Sequence, residues 1–221
     1  MRIAIDGPSG AGKSYLAKAI AAHYGFVHVD TGALYRALGL YALRSGLTKE
    51  GIAEICDDLD KIEVSLMFAK EGQRVLLCGE DVTDLIRTPE ISMYASAVSA
   101  VPAVRAFLLE TQRSIARTHS VVMDGRDIGT VILPDAEVKI FLVADDRARA
   151  ARRLAELEAK GVKTSLEDVL ADMAKRDEND RTRATAPAVA AEDAVLLDNS
   201  GLSREQTVAA AIKIIEEKRT T

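Results

Sequence analysis

The eight residues Gly7-Pro8-Ser9-Gly10-Ala11-Gly12-Lys13-Ser14 have the form GxxxxGK[ST], and they lie between the short apolar run Ile3-Ala4-Ile5-Asp6 and a helical stretch. A strand that turns through such a glycine-rich loop into a helix aims successive backbone N–H groups, and the positive end of the helix, at one point. That point suits a triphosphate: Lys13 reaches its outer phosphates and the Ser14 hydroxyl offers an oxygen to magnesium. The pattern predicts an α/β nucleotide-binding fold, with Gly7 to Ser14 as the donor site.

The rest of the chain continues the alternation. Arg2 to Asp6 reads as the first strand, Lys13 to Tyr24 as a helix stopped by Gly25, and Phe26 to Asp30 as the second strand. Thr31 reads as the cap of the next helix, which ends near Gly46, and a further helix capped by Thr48 is expected toward Asp60. Val121 to Asp124, Val138 to Val143 and Ala194 to Asp198 complete a five-stranded parallel sheet with helices on both faces.

Two stretches break this rhythm. Glu63 to Phe68, Gln73 to Cys78 and Asp81-Val82, with turns at Glu71-Gly72 and Gly79-Glu80, read as a small antiparallel sheet, followed by a helix entered at Thr88-Pro89-Glu90. Residues from about 62 to 100 are therefore an insertion. Asp145 to Lys160 and Thr164 to about Asp177 read as a charged helical hairpin around Gly161, its second arm opened by the capping box Thr164-Ser165-Leu166-Glu167. This region, about 145 to 183, is placed to act as a lid on one domain whose core is about 1–61, 101–144 and 184–221.

A net charge of −5 argues against a general binder of nucleic-acid polymers or membrane surfaces. Eighteen arginines against eleven lysines favour small phosphorylated ligands, because guanidinium is a planar fork that grips phosphate with two hydrogen bonds. Cys56 and Cys78 are isolated and read as buried thiols; His23, His28 and His119 are scattered, without metal-ligand spacing. Met1-Arg2-Ile3-Ala4-Ile5 runs straight into the first strand, and no apolar run is long enough to span a bilayer. The expected setting is cytoplasmic, with a monomer as the default state.

Asp124-Gly125-Arg126-Asp127 follows an apolar strand, and strand ends of parallel sheets line the ligand crevice. Asp124 is placed to organise magnesium beside Ser14. Arg126 and Asp127 either face the cleft or form a surface ion pair. Arg176, Arg181 and Arg183, with Asp180 between, sit at the lid edge, where arginines neutralise a migrating phosphoryl group. Of the charged lid helix, Arg147 and Arg149 read as a solvated face and Arg153 is left open. Asp30-Thr31-Gly32 with Tyr35-Arg36 opens a helix where a second phosphate fits. A phosphate monoester is mostly a dianion at neutral pH and needs no general base, so a phosphate acceptor agrees with the absence of any catalytic histidine loop.

These blocks, together with Glu80-Asp81-Val82, Ile86-Arg87-Thr88 and Asp124 to Thr130, resemble bacterial cytidylate kinases over nearly the whole chain. The resemblance implies transfer of the γ-phosphoryl group of ATP, with Mg2+, to CMP or dCMP. It further implies that Arg36, Arg126 and Arg183 hold the acceptor phosphate, that Arg176, Asp180 and Tyr35 contact the sugar, that Thr31 belongs to the CMP site, and that Ser96, Arg105 and Asp127 read cytosine. From the residues alone, Ser96 is a helix-face serine and Arg105 a surface arginine. Lys13, Arg126, Arg176 and Arg183 would carry the catalysis. Tyr15 departs from the family, where a small hydroxyl residue is common, and its ring is expected to pack on the core.

Overall fold

Ile3, Ala4 and Ile5 have no contact with solvent because the strand they form lies at the centre of a sheet covered on both faces. The computed structural model describes residues 1–69, 72–159 and 161–219. In chain order it runs β1 (Arg2–Asp6), α1 (Lys13–Tyr24), β2 (Val27–Asp30), α2 (Gly32–Arg44), a 3₁₀ turn at Ile52–Asp58, β3 (Val64–Ala69), β4 (Gly72–Leu77) and β5 (Glu80–Asp81). It continues with α3 (Pro89–Ser99), α4 (Pro102–Thr118), β6 (Val121–Asp124), a π-helical turn at Ile128–Ile132, β7 (Val138–Val143), α5 (Asp146–Ala159), α6 (Leu166–Thr182), β8 (Val195–Asp198) and α7 (Arg204–Arg219).

The main sheet has the order β2-β6-β1-β7-β8, and every pairing is parallel. Side chains alternate across β1: Ile3 and Ile5 join Leu16 and Ile20 of α1 and Ile215 of α7, while Ala4 faces Met123, Ile128 and Ala116 of α4. Register pairs Asp30 with Asp124 and Val143 with Asp198, so the carboxyl ends of these strands form one edge. The polar residues at the strand ends are delivered there.

A second core joins the inserted strands to α2, α3 and α4. β3, β4 and β5 form an antiparallel sheet whose Val64, Val75 and Leu77 pack with Leu34 and Leu38 of α2 and Ile91 and Val98 of α3. The helical hairpin of α5 and α6 has another, with Ala150 and Leu157 of α5 against Val169 and Met173 of α6. Among the described residues, no single helix is long and apolar enough to cross a membrane.

Several local expectations are corrected. Thr31 precedes α2, but its hydroxyl makes no cap: it donates to the Asp124 carbonyl at 2.9 Å. The hydroxyl of Thr48 accepts from the Gly51 N–H, and the chain then forms the 3₁₀ turn rather than a full helix. The lid capping residue is Ser165, not Thr164; its hydroxyl accepts from the Asp168 N–H, and α6 runs on to Thr182, beyond the expected Asp177. Cys56 and Cys78 are exposed, because the 3₁₀ turn and the β4–β5 turn lie on the surface. Lys160, and Glu71 of the expected Glu71-Gly72 turn, lie outside the described residues.

Candidate active site

The phosphate loop leaves β1 at Gly7, whose φ of +146° and contact with the Leu142 backbone exclude any side chain. Gly10 and Gly12 also have positive φ. Gly7, Pro8 and Ala11 shape the turn, while Ser9, Gly10, Gly12, Lys13 and Ser14 line a cavity of about 440 Å³. Lys13 Nζ donates to the Pro8 carbonyl at 2.7 Å. Burial, and then the nearby Arg126 guanidinium, hold its pKa well below the usual lysine range. Asn199, just past β8, donates from Nδ2 to the Ala11 carbonyl at 3.0 Å and ties the loop to the sheet edge.

Beside the loop, Asp124 is shared by two partners. Ser14 Oγ donates to its Oδ2 at 2.6 Å, and His28 Nε2 donates to its Oδ1 at 2.7 Å. A hydroxyl and a carboxylate held together at a phosphate loop are hard oxygen donors suited to Mg2+, which uses few protein ligands and takes the rest from phosphates and water. Among the described residues no cluster of three or more metal-ligating side chains occurs. Asp6 accepts from the N–H groups of Ile128 and Gly129, each at 2.8 Å, so the loop after Asp124 hangs from the end of β1.

Across the same cavity lies a set of guanidinium groups. Arg126 Nε donates to Asp180 Oδ2 at 2.9 Å, and Arg36 faces Asp30 at 3.4 Å. Burial would raise the Asp30 pKa, but Arg36, His28 and Arg87 outweigh it and hold the carboxyl below its ordinary range. Asp127, only 4% exposed, is gripped by Arg105 and by Arg183, the latter at 3.1 Å. The Arg105 guanidinium also lies 5.5 Å from the Tyr35 ring centre. Arg126 and Asp127 thus face the cleft and are bound to the C-terminal end of α6 and to α4, not to each other on the surface. Arg176 is pushed down to about 10 by burial and by Arg126, and its Nε is buried without a hydrogen-bond partner.

The structure brings Thr31, Tyr35, Arg36, Ser96, Arg105, Asp124, Arg126, Asp127, Arg176, Asp180 and Arg183 to this one cavity with Lys13 and Ser14. Arg153 lines it as well. Ten basic residues there face five acidic ones, in a chain whose overall charge is −5. Such a site demands an anion.

Three readings from sequence are corrected or extended. Arg149, expected as a solvated residue, is buried: it ion-pairs with Asp146 and Asp177 at 2.5 Å each. Tyr15 does not pack on the core; it is 43% exposed with the Arg204 guanidinium 4.9 Å from its ring centre. His28, Asn199 and Gln73 carry no sequence signal of a role because none belongs to a motif. Gln73 clips the insertion to the edge strand β2, its Nε2 donating to the Asp30 carbonyl at 3.0 Å and its Oε1 accepting the Asp30 N–H at 2.8 Å.

Comparison with known proteins agrees with this geometry. The family model described as cytidylate kinase matches residues 3–217. A cytidylate kinase from Carboxydothermus hydrogenoformans is 49% identical over 99% of this chain and 98% of its own length. One from Desulfitobacterium hafniense is 47% identical over 100% of this chain and 95% of its own. Among solved structures, an uncharacterized protein from Eubacterium ventriosum superposes with a TM-score of 0.54 at 16% identity, covering 98% of each chain, which is a likeness of fold alone. A full-length family match and an identity near one half leave a single assignment: the chain belongs to the cytidylate kinase family.

Proposed function

We propose that the protein transfers the γ-phosphoryl group of ATP to CMP or dCMP, giving ADP and the pyrimidine diphosphate. The observation that carries the acceptor assignment is Asp127, a buried carboxylate held between Arg105 and Arg183 in the arginine-lined cavity that Ser96 also lines. A carboxylate accepts from the cytosine N4 amine and the neighbouring Arg105 donates toward N3 and O2. Uracil presents an acceptor at the same corner and is disfavoured.

In this reading the phosphate-loop amides and Lys13 hold the triphosphate, and Arg36, Arg126 and Arg183 hold the acceptor phosphate. Arg176, Asp180 and Tyr35 contact the sugar, and Thr31 belongs to the same site. The acceptor dianion attacks in line without a general base, and Lys13, Arg126, Arg176 and Arg183 offset the charge that spreads over the migrating group. Magnesium, held by Ser14 and Asp124, would neutralise charge on the outer phosphates. The insertion, about residues 62–100, and the lid, about 145–183, close over a core to exclude water. The same reading has a cytoplasmic monomer acting on small molecules, with neither a nucleic-acid polymer nor a membrane as partner; the net charge of −5 supports the last two exclusions.

The test is ADP release with CMP, dCMP, UMP, AMP and shikimate as acceptors. CMP or dCMP is expected to lead, and Asp127→Ala to erode the preference over UMP by about 10-fold or more, the discrimination typical of a lost buried polar contact. Equal turnover of AMP and CMP by the unaltered enzyme would remove the cytosine assignment.

A further inference from the structure

Both backbone groups of Ser9 in the phosphate loop are taken by the lid. Its N–H donates to Asp177 Oδ1 at 2.9 Å, and its carbonyl accepts from Arg149 Nη1 at 2.6 Å. The same Nη1 donates to Asp177 Oδ2 at 2.5 Å, which closes a ring between one loop residue and two side chains. Arg149 Nη2 donates to Asp146 at 2.5 Å, so the guanidinium plane is also fixed on its own helix. Next to the ring, Met173 covers Gly10 so tightly that a Cβ there would lie 2.7 Å from its terminal methyl. Neither Arg149 nor Asp177 lines the substrate cavity.

We propose that Arg149 and Asp177 are positioning residues for the transfer: their ring on Ser9 sets the phosphate loop against α6 and thereby sets how Arg176 and Arg183 reach the donor's outer phosphate. The proposal rests on the kinase reading and deepens it. Asp177 directly follows Arg176, and Arg183 closes the same helix. The far end of α6 is held separately, by Arg126 on Asp180 and by Asp127 on Arg183. One helix thus carries two anchors, one on the donor loop and one on the acceptor loop. Removing the ring releases the donor side while the acceptor pocket keeps its own ion pairs. The consequence is a fault in alignment, which acts on turnover more than on acceptor affinity.

The experiment compares Arg149→Ala, Arg149→Lys, Asp177→Ala and the double alanine variant with the unaltered protein. It measures kcat, KM for CMP and for ATP, thermal midpoint, and amide hydrogen exchange over residues 7–12 and 166–176. Each alanine variant is expected to lower kcat by about 10- to 100-fold while KM for CMP stays within about threefold, since a displacement of about 1 Å costs that much in rate. The double variant should be no slower than the slower single one, because the ring acts as a unit. Arg149→Lys should recover part of the loss, and exchange over both segments should quicken together in Asp177→Ala. The proposal is overturned by folded alanine variants whose kcat stays within about twofold of the parent, by losses that multiply in the double variant, or by unchanged exchange over residues 7–12. Should the unaltered protein fail to phosphorylate CMP, the kinase reading falls, and exchange still decides the ring: joint quickening supports it, and no change overturns it.

Discussion

Asp6 shows how a single residue at a strand end acquires properties from its cover. Two backbone N–H groups donate to its carboxylate, yet burial dominates and pushes the pKa up to about 6 from 3.8. Between those two values the folded chain binds more protons than the unfolded one, so stability falls as pH rises through this window and is flat above it. The shift of about two units corresponds to about 3 kcal/mol. Denaturant unfolding from pH 4 to 7 should show that slope in the parent and lose it in Asp6→Asn, which in turn places an amide N–H against one of the two donors; an identical slope in the variant would assign the effect elsewhere. The identity of Asp6 was plain in the sequence, but its burial was not, because the turn at Ile128–Ile132 that covers it comes more than a hundred residues later. The same holds for Arg149, which occurs in a charged helix and reads as a solvated residue; only its docking against the phosphate loop and α6 shows that it faces inward.

At the scale of elements, local chemistry located most boundaries. α1 starts at Lys13 and ends at Tyr24 because the glycine loop precedes it and Gly25 follows in a left-handed conformation. α3 begins after Thr88, whose hydroxyl accepts from the Ile91 N–H, with Pro89 in the first turn. Where two cap residues adjoin, as at Thr164 and Ser165, the pattern alone could not choose; the choice of Ser165 comes from the reach of its hydroxyl to the Asp168 N–H. How elements approach one another was not legible. Gly39 lies in mid-helix of α2, and a Cβ there would come within 2.9 Å of the Ala95 amide nitrogen of α3. The two helices meet backbone to backbone, so Gly39→Val should cost about 2 kcal/mol or more by overpacking, read as a lower denaturation midpoint with unchanged m-value. A valine accommodated without loss would show that α3 is free to shift.

For the whole molecule, the decisive property is charge collected against its own repulsion. Burial, and then the neighbouring Arg126 or Arg105, lower the pKa of Lys13, Arg176 and Arg183, so a bound anion is expected to relieve repulsion there. CMP should therefore raise the thermal midpoint, by an amount equivalent to about 2.7 kcal/mol at a hundred times its dissociation constant. Cytidine, which lacks the phosphate, should do far less at equal concentration, and Arg36→Ala should narrow the gap. If cytidine stabilised the protein as well as CMP, the guanidinium groups would not be the source of affinity. A second cavity of about 490 Å³ separates α3 from the lid helices, lined by Met93, Ala97 and Met173 among others.

By itself the sequence determined the strand-loop-helix unit at the phosphate loop, the five parallel strands and the inserted sheet, because these arise from glycine and proline conformation, hydrophobic period and contiguous motifs; for Ser96 and Arg105 only the resemblance to cytidylate kinases pointed to the cavity. The tertiary structure alone decided that His28 holds Asp124, that Gln73 clips the insertion to β2, and that Arg149 and Asp177 close on Ser9. The reason is physical. Burial and partnership of a charged side chain depend on which distant segments pack over it, and that information is carried by the assembled fold rather than by any local run of residues.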